Sequence, residues 1–323
     1  MILSVLDLSP IVEHGTAAEA LRRSLDLAQH AERWGYRRFW VAEHHNMPGI
    51  ASAATAVVIA HIAGGTRTIR VGAGGIMLPN HAPLIVAEQF GTLESLFPGR
   101  IDLGLGRAPG TDPRTAHALR RTLASDPDAF PQDVLELMSY FEAEDGREIR
   151  AVPGAGLKLP IYVLGSSLFG AQVAAALGLP FAFASHFAAQ QMIPAVRAYR
   201  ERFTVSPVAQ IDRPYVMLGV NVVAADTDAE ARFLASSGRQ AFASLRAGTP
   251  IRLPPPSAEW EKEVVPFDPS AIPSLPAISI VGSRATVKAG LEAFAAYLQP
   301  DEVIVVSHVH DHGARLRCYE LLS

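Results

Sequence analysis

The sequence predicts a (β/α)8 TIM barrel, and three observations carry that expectation. Eight short apolar runs alternate with longer segments of helical period, the mark of repeated βα units. No Gly-x-Gly-x-x-Gly turn follows the first run, and no charged or Pro/Gly linker divides the chain, so a doubly wound sheet in two halves is disfavoured. Polar residues gather just beyond the ends of the apolar runs, which is where barrel enzymes keep their sites.

The units can be justified in order. Ile2–Asp7 is the first strand. Thr16 with Glu19 three residues on forms a capping box that opens a helix to about Trp34. Leu21, Leu25, Leu27, Ala28 and Ala31 give that helix one apolar side, and Gly35 ends it. Arg38–Val41 is the second strand, Ser52–Ala63 a helix, Ile69–Gly72 the third strand and Pro83–Leu96 a helix with proline near its start. Pro98-Gly99 turns the chain into the fourth strand, Arg100–Gly104. Helical segments near Pro113–Leu123 and Pro131–Glu142 precede the fifth strand, Ile161–Leu164. Helix Ser167–Leu177, strand Phe181–Ala184, helix Ala189–Phe203, strand Tyr215–Ala224 and helix Thr227–Leu245 continue the pattern. Helix Ser283–Tyr297 and strand Glu302–Ser307 close it.

One domain over residues 1–323 is expected, with an insertion at about 246–277. That insertion holds eight of the 24 prolines and has no clear period, which reads either as a stiff lid over the barrel mouth or as an irregular surface excursion. Apolar residues at 49% and charged residues at 19% suit a large buried core. A net charge of −4 without any Lys/Arg block gives a nucleic acid or an anionic membrane nothing to hold. The single cysteine, Cys318, excludes an intrachain disulfide and fits a reducing compartment. The N-terminus lacks a basic segment and a long apolar run, so a cytoplasmic location is expected.

Several stretches could carry chemistry. Glu43-His44-His45 follows the second strand, and adjacent imidazoles on an extended chain cannot both face one site. One histidine faces the mouth, or the two form a structural pair with Glu43 as acceptor. The glycines of Val71–Pro79 remove side chains where a ligand could approach the backbone and would tolerate a cis peptide, while a tight strand exit needs glycine as well. Arg107 after Gly104-Leu105-Gly106, together with Gly165-Ser166-Ser167 at a helix start, makes a candidate phosphate cradle. Gly282-Ser283-Arg284 is a rival one. His308, His310 and His312 have the spacing of a metal site, but Gly313 and a loop position point to a solvated tail, and no metal is expected.

Ser4–Pro10, Trp40–His45, Arg70–Pro79, Pro98–Arg107, Leu164–Ser167, Phe183–His186 and Ile280–Ser283, taken in this order, resemble the luciferase-like monooxygenases. The likeness runs nearly end to end and is strongest to the MsnO8-like branch. It implies a bacterial-luciferase-like barrel, usually dimeric, that holds reduced FMN at the C-terminal mouth and uses O2 on a small to medium organic substrate. It implies a cis peptide at Gly74-Gly75, beside Ala73, behind the flavin ring. It also assigns phosphate contacts to Arg107, Gly165, Ser166 and Ser167, the active-site role to His44 and a supporting role to His45. Gly106 stands where light-emitting members carry a thiol, which speaks against light emission. With no nicotinamide motif present, a separate flavin reductase is the expected partner. The alternatives are F420-dependent hydride transfer on the same barrel, a flavin-binding protein without turnover, and, remotest, a metal-dependent hydrolase.

Overall fold

The computed structural model describes residues 1–108, 112–119, 129–143 and 148–323. Its strands are β1 (Leu3–Asp7), β2 (Arg38–Val41), β3 (Arg70–Met77), β4 (Ile101–Gly106), β5 (Ile161–Gly165), β6 (Phe181–Phe183), β7 (Val216–Ala225), β8 (Ser279–Ser283) and β9 (Glu302–Val306). All pair in parallel. The ring runs from β1 through β6 in sequence order, then closes through β7 and β9 back to β1. The eight-stranded (β/α)8 barrel is therefore the observed fold.

Strand alternation separates two layers of core. Leu6, Trp40, Tyr162, Ala182, Met217 and Ile304 form one cluster, while Val5, Phe39, Val163, Phe181, Val216 and Val303 belong to another. Trp40 on β2 stacks edge-on with Tyr162 on β5 at 4.9 Å, three strands away, so the first cluster fills the barrel's interior. At the strand starts the interior is polar. Arg38 donates to Asp102 (2.8 Å), to both oxygens of Glu302 (2.8 and 2.9 Å) and to the Tyr162 hydroxyl (2.9 Å). Trp40 and Arg70 add donors to Asp102, and Tyr215 and Ser4 add donors to Glu302. Burial lowers the Arg38 pKa, but Asp102 and Glu302 outweigh it and raise it above its ordinary value. This network, buried at Arg38, Asp102 and Glu302 and partly exposed at Arg70 and Tyr215, closes the barrel floor.

The helices are α1 (Ala17–Arg33), α2 (Thr55–Gly64), α3 (Pro83–Leu96), α4 (Pro113–Leu119), α5 (Phe130–Ser139), α6 (Leu168–Leu177), α7 (Met192–Arg202), α8 (Asp228–Arg246), α9 (Ala258–Glu261), α10 (Arg284–Leu298) and α11 (His312–Leu322). The capping box at Thr16 and Glu19 is present, and Gly35 after α1 has φ +81°. The helix expected over Pro113–Leu123 is described as far as Leu119; its last residues lie outside the described ones.

Three differences from the sequence expectation matter for the site. β3 continues through its glycines to Met77 instead of stopping at Gly72. β8 is a ninth strand that the sequence reading leaves out, paired with the outer half of β7 from Asn221 to Ala225. The segment after His308 is not a solvated tail, because Asp311 caps α11 by accepting from Ala314 N–H at 2.7 Å. Arg315, Cys318, Tyr319 and Leu321 of α11 are buried.

α8 has an unusual course. Its Ala231 and Ala235 pack with Val223 and Ala225, which share the inward pleat face of β7 with Met217. Farther on, Gly238 lies against His308 beyond β9, where a Cβ would come 2.8 Å from the His308 Cβ, and Phe242 meets Phe187 beyond β6 with ring centres 6.0 Å apart. The following chain reaches the loops after β1 and β2. Leu253 exchanges backbone bonds with Ile11 (3.0 Å) and Glu13 (2.8 Å), and a Cβ on Gly49 would come 2.5 Å from the Ile251 carbonyl oxygen. α8 and the start of the Pro-rich segment therefore roof part of the mouth.

Candidate active site

Continuing the strand alternation past the barrel puts His44, Ser166, His186 and His308 on the inward side at the C-terminal ends of β2, β5, β6 and β9. His44 is half-buried and lines an open cleft of about 310 Å³ with Asn46, Met47, Pro48, Ile50 and Ala53. His45 falls on the other face and its Nε2 lies 2.7 Å from Glu43 Oε1. The division between the two imidazoles thus follows from the period of the strand.

Glu43 ties the neighbouring loops together. Its carboxylate is buried, accepts from Met77 N–H (2.9 Å) and Asn80 Nδ2 (3.2 Å), and lies 2.9 Å from His81 Nε2. Burial alone would raise its pKa, but the hydrogen bonds from His81, His45 and Met77 prevail and hold it below the usual carboxylate value. Glu43 N–H also donates to the Gly75 carbonyl at 3.2 Å. Next to it the Gly74-Gly75 peptide is cis, at the position expected from the sequence, and the β3–β4 register shifts there.

These glycines are required by the protein's own atoms. A Cβ at Gly74 would stand 2.8 Å from Leu6 and 3.0 Å from Trp40, and one at Gly75 would stand 2.6 Å from the Gly104 oxygen. The side chains of Leu6 and Trp40 account for Gly74, and the close approach of β3 to β4 accounts for Gly75. Ala73 points its side chain into the helix-facing core, so only its backbone is offered to the mouth.

The two candidate cradles differ sharply. At Gly282-Ser283-Arg284 the Asp228 carboxylate already accepts from Ser283 N–H (2.5 Å) and the Thr286 hydroxyl (2.7 Å), so that helix start holds an anion of the protein itself. At α6, among the described residues, no carboxylate bonds to the helix start. The Ser167 hydroxyl makes no capping bond, and Leu168 N–H is met by Gln191 Oε1 at 3.2 Å. Arg107 places its guanidinium carbon over the Phe169 ring, 4.2 Å from the centroid. Arg107, Gly165, Ser166 and Ser167 are thus brought together on adjacent strands, with the cis peptide one strand away.

Two histidines at the mouth carry no assignment in the sequence reading. Burial, with His308 and His44 nearby, pushes His186 down to about 3. Burial and the Arg315 charge push His308 down to about 4, with Asp7 opposing. Both rings are neutral at ordinary pH. The usable signal was the inward alternation Ala182, Ala184, His186, which becomes visible only when the strand end is known. His308, His310 and His312 diverge: His308 lies under α8, while His312 pairs with Asp26 at 2.8 Å. Among the described residues no group of His, Cys, Asp and Glu is arranged to hold a metal, and no helix is long and apolar enough to cross a membrane.

Comparison with known proteins agrees with this architecture. Residues 1–298 match the family model described as luciferase-like monooxygenase. A protein of Escherichia coli (strain K12) named luciferase-like monooxygenase is 50% identical over 319 residues, covering 98% of this chain and 95% of its own. The uncharacterized protein YvbT of Bacillus subtilis (strain 168) is 52% identical over 324 residues, covering 100% and 96%. The crystal structure of apo-MsnO8 superposes with TM-score 0.90 at 38% identity, covering 99% of this chain and 97% of that one. Two more distant structures share the barrel at 17% and 14% identity, with TM-scores of 0.72 and 0.68. The first is a type II Baeyer–Villiger monooxygenase in complex with FMN, covering 100% of this chain and 96% of that one. The second is an F420-dependent secondary alcohol dehydrogenase with an F420–acetone adduct, covering 100% and 98%. On these matches and this barrel, the chain belongs to the luciferase-like monooxygenase family.

Proposed function

We propose that the chain is an FMN-dependent monooxygenase that uses reduced FMN and O2 to oxidise a small to medium organic molecule. What supports this reading is the end of β4 and β5, where the Arg107 guanidinium lies over Phe169 of α6 and Ser166 and Ser167 lead into that helix. That donor set fits a phosphate monoester. When bound, reduced FMN supplies the electrons that activate O2. The chain's own residues do the rest. Arg107, Gly165, Ser166 and Ser167 hold the phosphate end, and the backbone at Ala73, Gly74 and Gly75 backs the ring.

His44 faces the open cleft and holds or moves a proton at an imidazole nitrogen, a task suited to that side chain. The roof formed by α8, with the Phe187–Phe242 pair beside it, limits water at the mouth. A separate reductase delivers the reduced cofactor.

Replacing Arg107 with alanine tests the cradle. FMN affinity is expected to fall roughly 10–100-fold, from the 1.5–3 kcal/mol typical of hydrogen bonds to charged groups. Riboflavin, which lacks the phosphate, is expected to bind the variant as well as it binds the wild type. Equal weakening of both in a fluorescence titration would move the phosphate away from Arg107.

A further inference from the structure

The ring order places the ends of β2 and β6 opposite each other, four steps apart in either direction. His44 follows one and His186 the other. His186 is held in place with unusual thoroughness for a residue in a loop. The Ser185 hydroxyl donates to the Gly219 carbonyl (2.6 Å), Ile278 N–H donates to the Ser185 carbonyl (2.8 Å), and Asn221 Nδ2 donates to the His186 carbonyl (2.5 Å). The ring lies on Gly219 of β7, where a Cβ would stand 2.3 Å from Nδ1. Glycine at 219 thus reserves the space that the imidazole fills.

Packing alone does not explain a histidine there. Its Nδ1 is buried without a hydrogen-bond partner. An unmatched buried polar atom is costly, and a phenylalanine or leucine would occupy the space without that cost. Phe187, the next residue, packs edge-on against Phe242, and the titratable groups that act on the His186 ring are the imidazoles of His308 and His44. Burial and the neighbouring imidazoles keep His186 neutral, so Nε2, the nitrogen not packed on Gly219, serves as donor or acceptor according to the tautomer.

We propose that His186 binds the organic substrate, hydrogen-bonding an uncharged polar group, such as a carbonyl or amide, on the wall facing His44. This rests on the mouth being the active site. The flavin residues proposed above occupy the arc from β3 to β5, and His186 begins the remaining arc, which α8 covers.

The test is long-range proton–nitrogen spectroscopy on the full chain with isotope-labelled histidine, near neutral pH. His186→Gln, which keeps a donor and an acceptor, assigns the signals. FMN is titrated first, then acetone and N-methylacetamide as neutral carbonyl and amide probes, then cyclopentane as an apolar control. A saturable shift of the His186 nitrogens with both polar probes is expected, none with cyclopentane, and none in Gly219→Ala, whose added methyl displaces the ring. No saturable shift with either polar probe, or an equal shift in Gly219→Ala, would overturn the proposal. If FMN fails to bind while the polar probes still move His186, the flavin reading fails and the His186 assignment stands.

Discussion

Exchanging Arg38 for methionine is expected to destabilise the fold by about 3–5 kcal/mol, the usual effect of removing one partner of a buried ion pair. The exchange nearly conserves volume, so packing contributes little, and the loss comes from two carboxylates left without their shared cation. Asp102 would keep Arg70 and the Trp40 indole, whereas Glu302 would keep only the hydroxyls of Tyr215 and Ser4. At about 2.1 cal/mol/K of unfolding entropy per residue, the melting midpoint is expected to fall by roughly 4–7 °C. Adding Glu302→Gln to Arg38→Met is expected to recover part of the loss, because neutralising the orphaned acid removes its desolvation penalty. A single variant within about 1 kcal/mol of wild type by urea unfolding would show the floor network to be dispensable.

The second large effect concerns turnover. His44→Ala is expected to lower the rate by about 10²–10⁴-fold, the range that a positioned general acid or base supplies. FMN affinity is expected to stay unchanged, because His44 stands at the end of β2, two strands from Arg107 at the end of β4. Equilibrium flavin titration beside a turnover assay separates the two quantities. An equal loss of both would make His44 a cofactor-binding residue.

What was legible in the sequence was local. The Thr16–Glu19 capping box depends on neighbours in the chain and stands where the residues place it. Glu43 accepts from His45, as one of the two readings of that stretch allows, and the cis Gly74-Gly75 peptide stands where the family resemblance implies it. The tertiary features were hidden. α8 has the apolar side of any amphipathic helix, and nothing in its residues says that this side meets the inward face of β7 above the barrel. Gly219 looks like an ordinary strand glycine until His186 is seen lying on it. The rival cradle was a sound reading of Gly282-Ser283-Arg284, and Asp228, 54 residues before Gly282 in the chain, takes the place of the anion. α11 was masked by Gly313 and by three histidines that drew attention to metal chemistry instead of to the Asp311 cap.

Reduced FMN at the barrel mouth, reacting with O2, is the proposal that decides between this enzyme class and hydride transfer. The direct measurement is an anaerobic titration of the protein with reduced FMN and with reduced F420, followed by rapid mixing of each complex with O2. The account predicts saturable binding of reduced FMN and a transient absorbance before oxidised flavin appears, with no such reaction from F420. Tight binding of reduced F420, no uptake of O2 and no binding of FMN would contradict it and make the same barrel a hydride-transfer enzyme.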